Sequence, residues 1–390
     1  MLSFNQAQIL IKAHAPRLKI ETVLTKDAHG YLAANIYAPI DLPPFTNSAV
    51  DGFALNTADF IAGQSIPIVQ SLRATAQERY ELKAGSCAYI MTGAPLPGNA
   101  DCVIMKEHAQ IFADSVFFDL TSIKAHSYVR TQGEDVRRGS LVAVAGSKLS
   151  PQLIGALLGL GIAEVPVFAP RIRIICTGDE LIQAPQKLEY GQVYFLVGAM
   201  LKAQCLALGF NDVELCQIGD HQVKIEKAIN NYLDADILLI TGGMSRGDYD
   251  LVPKALKSCG AEQIFHYGAW RPGKPLYFGR LRQTIIFGLP GNPVACFVGF
   301  RVFVQSMLGE AINNEQLMST KTAYLRQDFT KIKDISLFAR AKLDDSYNLT
   351  CLPGQGSHEI VSLSQANALC LFEPDQTLVK AGELVKYYPI

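Results

Sequence analysis

From Arg171 to about Glu310 the chain alternates apolar β-like runs with helical periodicity, and this alternation restricts the fold more than any other feature. The segments "RIRIICTG", "DVELCQIGD", "ADILLI" and "QTIIFGLPG" read as strands. "ADILLI" is apolar throughout, as a strand buried on both faces must be. Between these runs, Val197 to Leu208 puts Leu201, Cys205 and Leu208 on one helical face. "HQVKIEKAINNYL" puts Ile225, Ala228, Ile229, Tyr232 and Leu233 at i, i+3, i+4, i+7 and i+8, the stripe of an amphipathic helix. Further helices are expected from Leu251 and Pro293. Neighbouring parallel strands need a crossover, usually a helix, so the rhythm predicts a doubly wound, mainly parallel sheet with helices on both faces.

The flanking sequence differs. Tyr31 to Arg130 is rich in short β-like runs and turns ("SIPIVQSL", "CAYIM", "DCVIMKE"), which predicts a small, mostly β module. A helix is expected near Pro151 to Leu160. After about Glu310 short strands return ("SLFARAKL", "NLTCLPG", "ALCLFE", "ELVKYYP"), so a small β domain ends the sequence. A length of 390 residues, 49% of them hydrophobic, allows two to four domains with sizeable cores. The net charge of -1 supports neither a nucleic-acid partner nor a membrane surface. The nine cysteines are scattered, with no Cys-x-x-Cys pair and no His-Glu-x-x-His helix, so zinc is not expected. Reduced, buried thiols in a cytoplasmic protein are expected instead. Apolar runs such as Leu153 to Ala163 fall short of the roughly 20 residues that span a bilayer. "MLSFNQAQILIKAHAP" lacks the basic region and cleavage site of a secretory signal.

Ligands of doubly wound sheets sit beyond the carboxyl ends of the strands. Three loops leave such ends: "TGDEL", "TGGMSRGDYD" and "GLPGNP". If their strands are neighbours, the loops converge on one crevice. Gly242 and Gly243 let backbone N–H groups approach a ligand, and Ser245 adds a hydroxyl. Asn292 is placed to cap a helix beginning at Pro293, whose N-terminus favours a nearby anion by about 0.3–1 kcal/mol. Taken singly, each loop is as well explained as an ordinary strand-to-helix turn, with Asp250 capping the helix from Leu251. "GAWRPGK" has P-loop spacing, but Pro275 stands where Ser or Thr is required and a strand follows. No Gly-x-Gly-x-x-Gly follows a strand, so no dinucleotide cofactor is expected. Arg271 and Lys274 form a Pro-bracketed basic element suited to an oxyanion, or else two solvated cations.

Glu180, Asp220 and Asp250 each follow a strand end. Crowded together they would raise one another's pKa and repel an anionic ligand. A hard cation resolves both conflicts, because Mg²⁺ binds one or two carboxylates plus substrate phosphates. The competing reading is surface acids and helix caps. "LPPFTNSAVDGFAL" and "IMTGAPLPGNAD" are turn-rich loops with Asp51 and Thr92 as polar tips.

The ordered motifs "PPFTNSAVDGFA", "IMTGAPLPGNAD", "GEDVRRGS", "TGDEL", "GGMSRGDYD", "RPGKP", "GLPGNPVA" and "GQGSH" resemble those of the MoeA family, which includes the gephyrin E domain, nearly end to end. The resemblance implies a molybdenum-inserting transferase that takes adenylylated molybdopterin and molybdate with Mg²⁺ and releases AMP. It implies an elongated homodimer with its cleft between the α/β domain of one subunit and the β-rich domain of the other. Adenylyltransferases of molybdopterin and molybdoenzyme-maturation proteins would be its partners. The implied domains are a linking domain (1–41 and 134–169, its first helix packing on the α/β domain) and a β-rich domain (42–133). An α/β molybdopterin-binding domain like the molybdopterin adenylyltransferases (170–309) and a C-terminal β-barrel (310–390) complete them. By motif, the family's important positions correspond to Asp51, Thr92, Glu180, Asp220, Ser245, Asp250, Lys274, Pro290 and Pro293. Asp220 and Asp250 would lie at Mg²⁺, and Gly242, Gly243 and Ser245 would take phosphate. Arg271 and Lys274 would attract molybdate or phosphate, and Asp51 and Glu180 would serve as acid/base or orienting groups.

Some residues depart from the family pattern. Phe195-Leu196-Val197 replaces a polar Asp-Ser/Thr-Asn, Arg246 a small aliphatic residue, Tyr267 a basic residue and Arg271 a lysine. Two other functions fit parts of the chain: a catalytically impaired paralogue that binds pterin or acts as a scaffold, and an adenylyltransferase-like activity. The "SAVDGFA" motif and the N-terminal β module argue against the latter.

Overall fold

The computed structural model describes residues 1–75, 78–244 and 250–390. By compactness the chain divides into two units, one of residues 1–34, 145–149 and 165–390, the other of residues 35–144 and 150–164.

The larger unit holds the predicted sheet. Its strands are β1 (Ile172–Thr177), β2 (Val213–Ile218), β3 (Ile237–Thr241), β4 (Glu262–Tyr267), β5 (Pro275–Leu281) and β6 (Thr284–Leu289). They lie in the order β2-β1-β3-β6-β5-β4. The first four in that order are parallel, with Ile172 opposite both Val213 and Ile237, and Ile237 opposite Ile285. β5 and β4 complete the sheet antiparallel.

The helices between strands are α1 (Val197–Ala207), α2 (Gln222–Asn231) and α3 (Val252–Ser258), and α4 (Pro293–Gly299) follows β6. Side chains alternate across the strands, so the sheet serves two cores. Ile174, Cys176, Leu239 and Phe287 join Leu201 and Cys205 of α1 and Val294 and Val298 of α4. Ile175, Leu238, Ile240 and Ile286 join Ile225 and Ile229 of α2 and Val252 and Leu256 of α3. Each such aliphatic side chain contributes about 1.5–3 kcal/mol on burial, which is why the strands read as unbroken apolar runs.

The helix begun by α4 continues through a π segment, Phe300–Val304, to Ala311. At 19 residues and mean hydropathy 1.3 it is long and apolar enough to cross a bilayer, which the sequence reading did not anticipate. Within the fold, 78% of its apolar window is buried, so it is accounted for as a core helix. The N-terminal helix, Phe4–Ala13, begins in a Ser3/Gln6 capping box and buries Phe4, Ala7 and Ile11 in the first core.

The C-terminal strands β7 (Lys321–Leu325), β8 (Ser336–Leu343), β9 (Asn348–Cys351), β10 (Ala368–Phe372) and β11 (Leu384–Pro389) pair β8-β9-β7-β11-β10. β10 pairs back onto β8, closing a five-stranded barrel around Leu325, Ala339, Leu349 and Phe372. Closure removes the open edges that would invite association.

The smaller unit is built on six strands in the order 102–105, 52–55, 87–90, 66–72, 115–118, 109–112. Its helix, Pro151–Gly159, is capped by Ser150, whose side chain accepts from Leu153 N–H.

Candidate functional site

β1, β3 and β6 are neighbours, and the three glycine-containing loops that leave them do converge. Together they line a cavity of about 910 Å³ at the carboxyl edge of the sheet. Thr177, Gly178, Glu180, Gly242, Gly243, Pro290, Asn292 and Pro293 contribute to it, along with Asp220 after β2 and Asp250 before α3.

The turn after β3 is held from two sides. Met244 is buried against the second core. The carbonyl of Met244 accepts from His266 Nε2 on β4 at 2.9 Å. Gly242 has φ 92° and Gly243 φ 54°. A Cβ on Gly242 would collide with the Thr177 carbonyl and stand 2.7 Å from Thr177 Oγ1. Glycine is therefore required by backbone angle and by packing. Ser245 and Arg246 lie outside the described residues.

Asp220 is fixed by a reciprocal clamp across two strand ends. Its Oδ2 accepts from Asp179 N–H at 3.3 Å, and its own N–H donates to Asp179 Oδ1 at 3.1 Å. A Cβ on the intervening Gly219 would crowd Asp179 Oδ1. Glu180 anchors the next segment through its carbonyl, which accepts from Val193 N–H at 3.0 Å. That segment gives the cavity an apolar wall of Leu188, Val193, Tyr194, Phe195, Leu196 and Val197. The Phe195 ring tip lies over Gly198, beside Cys176.

The helix starts differ from expectation. Asn292 is the N-cap residue of α4 and Pro293 its first residue, but the Asn292 side chain makes no capping bond. Leu251, not Asp250, occupies the cap position of α3, also without a side-chain bond. Near the start of α4, Val294 N–H donates to the Ser357 carbonyl at 3.1 Å. Ser357 lies in "GQGSH", a loop pinned by the buried Arg340, whose guanidinium donates to the carbonyls of Gly354 and Gly356. This arrangement brings His358 into the cavity lining, a residue that no local spacing singles out. Arg271 and Lys274 are exposed and lie outside the lining, whereas the adjacent Pro275 belongs to it. Their loop is braced by Trp270 Nε1, which donates to the Gly273 carbonyl at 2.8 Å.

The smaller unit brings Asp51 and Thr92 together. Asp51 Oδ1 accepts from Thr92 N–H at 2.9 Å and from Thr92 Oγ1 at 2.8 Å, and Lys106 Nζ stands 3.4 Å from Oδ2. The backbone bond from Thr92, then its hydroxyl, then Lys106 hold the Asp51 carboxyl below the ordinary aspartate range. Lys106 is a partner that sequence spacing did not indicate.

The resemblance seen in the sequence implies Mg²⁺, a hard cation that takes oxygen donors. Among the described residues no three His, Cys, Asp or Glu side chains stand close enough to cage a metal. Cys176 lines the cavity, but burial pushes its thiol up to about 12, so it offers no thiolate at neutral pH. Carboxylates lining one cavity without forming a cage fit a cation that takes the rest of its shell from substrate phosphate.

These features define an α/β protein with a ligand cavity at its sheet edge, where a glycine turn faces acidic side chains. Comparison with known proteins is specific. Residues 2–161 match the MoeA N-terminal region (domain I and II), 173–310 a domain described as "Probable molybdopterin binding domain", and 322–390 the MoeA C-terminal region (domain IV). A Haemophilus influenzae molybdopterin molybdenumtransferase is 30% identical, covering 100% of this chain and 98% of that protein. The Bacillus subtilis protein of the same name is 31% identical over 94% of this chain and 89% of its own. The crystal structure of a molybdopterin biosynthesis moea protein from Pyrococcus horikosii superposes with a TM-score of 0.82 at 27% identity, covering 100% of this chain and 99% of that one. The chain belongs to the MoeA family.

Proposed function

We propose that this chain is a molybdopterin molybdenumtransferase, inserting molybdate into adenylylated molybdopterin in a Mg²⁺-dependent reaction that releases AMP. One observation carries this reading: a single cavity lined by Glu180, Asp220 and Asp250 together with the Gly242–Gly243 turn. Asp220 and Asp250 are the residues that would hold Mg²⁺. A cation held there would supply positive charge that offsets the charge of a phosphate-bearing ligand.

Gly242 and Gly243 present backbone N–H groups to phosphate; Ser245, which the family motif also assigns to phosphate, lies outside the described residues. Pro290, Asn292 and Pro293 shape the opposite turn. Lys274 and Arg271 draw molybdate by longer-range attraction. Asp51, kept ionised by Thr92, and Glu180 orient the reacting groups or move protons between them. The apolar Phe195–Val197 wall is compatible with this function, because Phe195 packs over Gly198. The protein would act as a cytoplasmic homodimer, receiving pterin nucleotide from a molybdopterin adenylyltransferase and passing its product to maturation proteins.

The test is complementation of a bacterial strain lacking its molybdenumtransferase, read as nitrate reductase activity at ordinary molybdate. Rescue is expected. A soluble, dimeric protein that gives no rescue overturns the assignment.

A further inference from the structure

Buried polar atoms in folded proteins are almost always hydrogen-bonded, so an exception calls for a cause. Thr177, the last residue of β1, is 4% exposed, and its Oγ1 is buried with no hydrogen-bond partner. Among the described residues with such an orphaned side-chain atom, Thr177 alone belongs to the cavity lining.

Its neighbour provides a contrast. Thr241 ends the adjacent strand, and its hydroxyl donates to the Pro290 carbonyl at 3.2 Å. One strand-end threonine thus bonds within the protein and the other does not. A purely structural role would be served as well by valine, which has the same shape and no hydroxyl to satisfy.

The surroundings indicate what the missing partner is. Thr177 Oγ1 lies against the Gly242–Gly243 turn: a Cβ on Gly242 would stand 2.7 Å from it and one on Gly243 3.4 Å. Any larger residue at these positions would close over the hydroxyl. A turn of two positive-φ glycines orients backbone N–H groups toward an anion. A hydroxyl-to-phosphate bond closes to about 2.5–2.7 Å, shorter than a bond to a neutral oxygen.

We propose that Thr177 is a substrate-binding residue whose hydroxyl donates to a phosphate oxygen of the pterin nucleotide seated on the Gly242–Gly243 turn. This rests on the function proposed above and extends it to a residue outside that site assignment.

The test compares wild type, Thr177→Val and Thr177→Ser by calorimetric titration with adenylylated molybdopterin and Mg²⁺, and by thermal melting without ligand. Thr177→Val is expected to bind about ten-fold more weakly or worse, since a bond to a charged acceptor is lost, while its melting temperature holds or rises. Thr177→Ser is expected to bind within a few-fold of wild type. Val binding as tightly as wild type overturns the inference alone. Ser as weak as Val also overturns it, because the methyl group and not the hydroxyl would then be responsible. Wild type that fails to bind the nucleotide overturns the proposed function, and this inference with it.

Discussion

The roles proposed for Asp51 and Asp250 rest on different surroundings. Asp51 is half-buried, and two donors from Thr92 converge on one of its oxygens. Its lowered pKa means that the carboxylate's contribution to stability is present above the unfolded-state value and is lost as pH falls through the folded-state value. Thr92→Ala removes the hydroxyl and leaves the stronger backbone donor, so the Asp51 pKa should rise part of the way toward its ordinary value. The acid limb of activity should shift to higher pH with it. A carboxyl-carbon NMR titration reads the first effect directly, and an unmoved Asp51 resonance would show that the Thr92 hydroxyl does nothing for it. Asp250 lies in the cavity lining. Asp250→Asn keeps the shape and removes the charge, so Mg²⁺-dependent binding of adenylylated molybdopterin should weaken about ten-fold or more. Unchanged calorimetric affinity would remove Asp250 from the metal site.

At the scale of elements, the loops that leave the sheet are as tightly specified as the strands. Gly242→Ala sets a side chain at φ 92° and drives its Cβ into Thr177. The expected loss is about 2–4 kcal/mol of stability, read as a lower urea midpoint at unchanged slope. An unchanged midpoint would mean the turn tolerates the methyl group. The strands and helices around this turn were legible in the sequence because burial on two faces leaves a one-dimensional signature: "ADILLI" has to be apolar throughout, and Ile225, Ala228 and Ile229 have to recur at helical spacing. Capping bonds carry no such signature. Asn292 and Pro293 fit the pattern, but the N–H of Val294 is met by the carbonyl of Ser357, from a loop more than sixty residues later. His358 was hidden for the same reason, since it reaches the cavity through Arg340, which no local pattern connects to it. The acids Glu180, Asp220 and Asp250 could be read singly from their place after strand ends. Their sharing of one cavity depended on strand order.

At the scale of the whole molecule, the residues proposed for the reaction fall in both compact units. Asp51 and Thr92 lie in the unit of residues 35–144 and 150–164, and the three cavity acids in the other. The family resemblance implies that, in the proposed homodimer, each active site takes one set from each copy; the competing arrangement takes both sets from one chain. Mixing two inactive variants separates them. In Asp51→Asn only the first set is damaged, and in Asp250→Asn only the second. If each site draws on a single chain, every site in a mixed dimer still carries one defect, and no activity returns. If sites are shared, a mixed dimer has one site with both sets intact and one with both damaged. Random exchange makes about half the dimers mixed, so about a quarter of wild-type activity should return in a symmetric two-site assembly. Molybdenum insertion assayed before and after subunit exchange measures this. Recovery near a quarter would establish shared sites, and none, with mixed dimers confirmed by mass spectrometry, would confine each site to one chain.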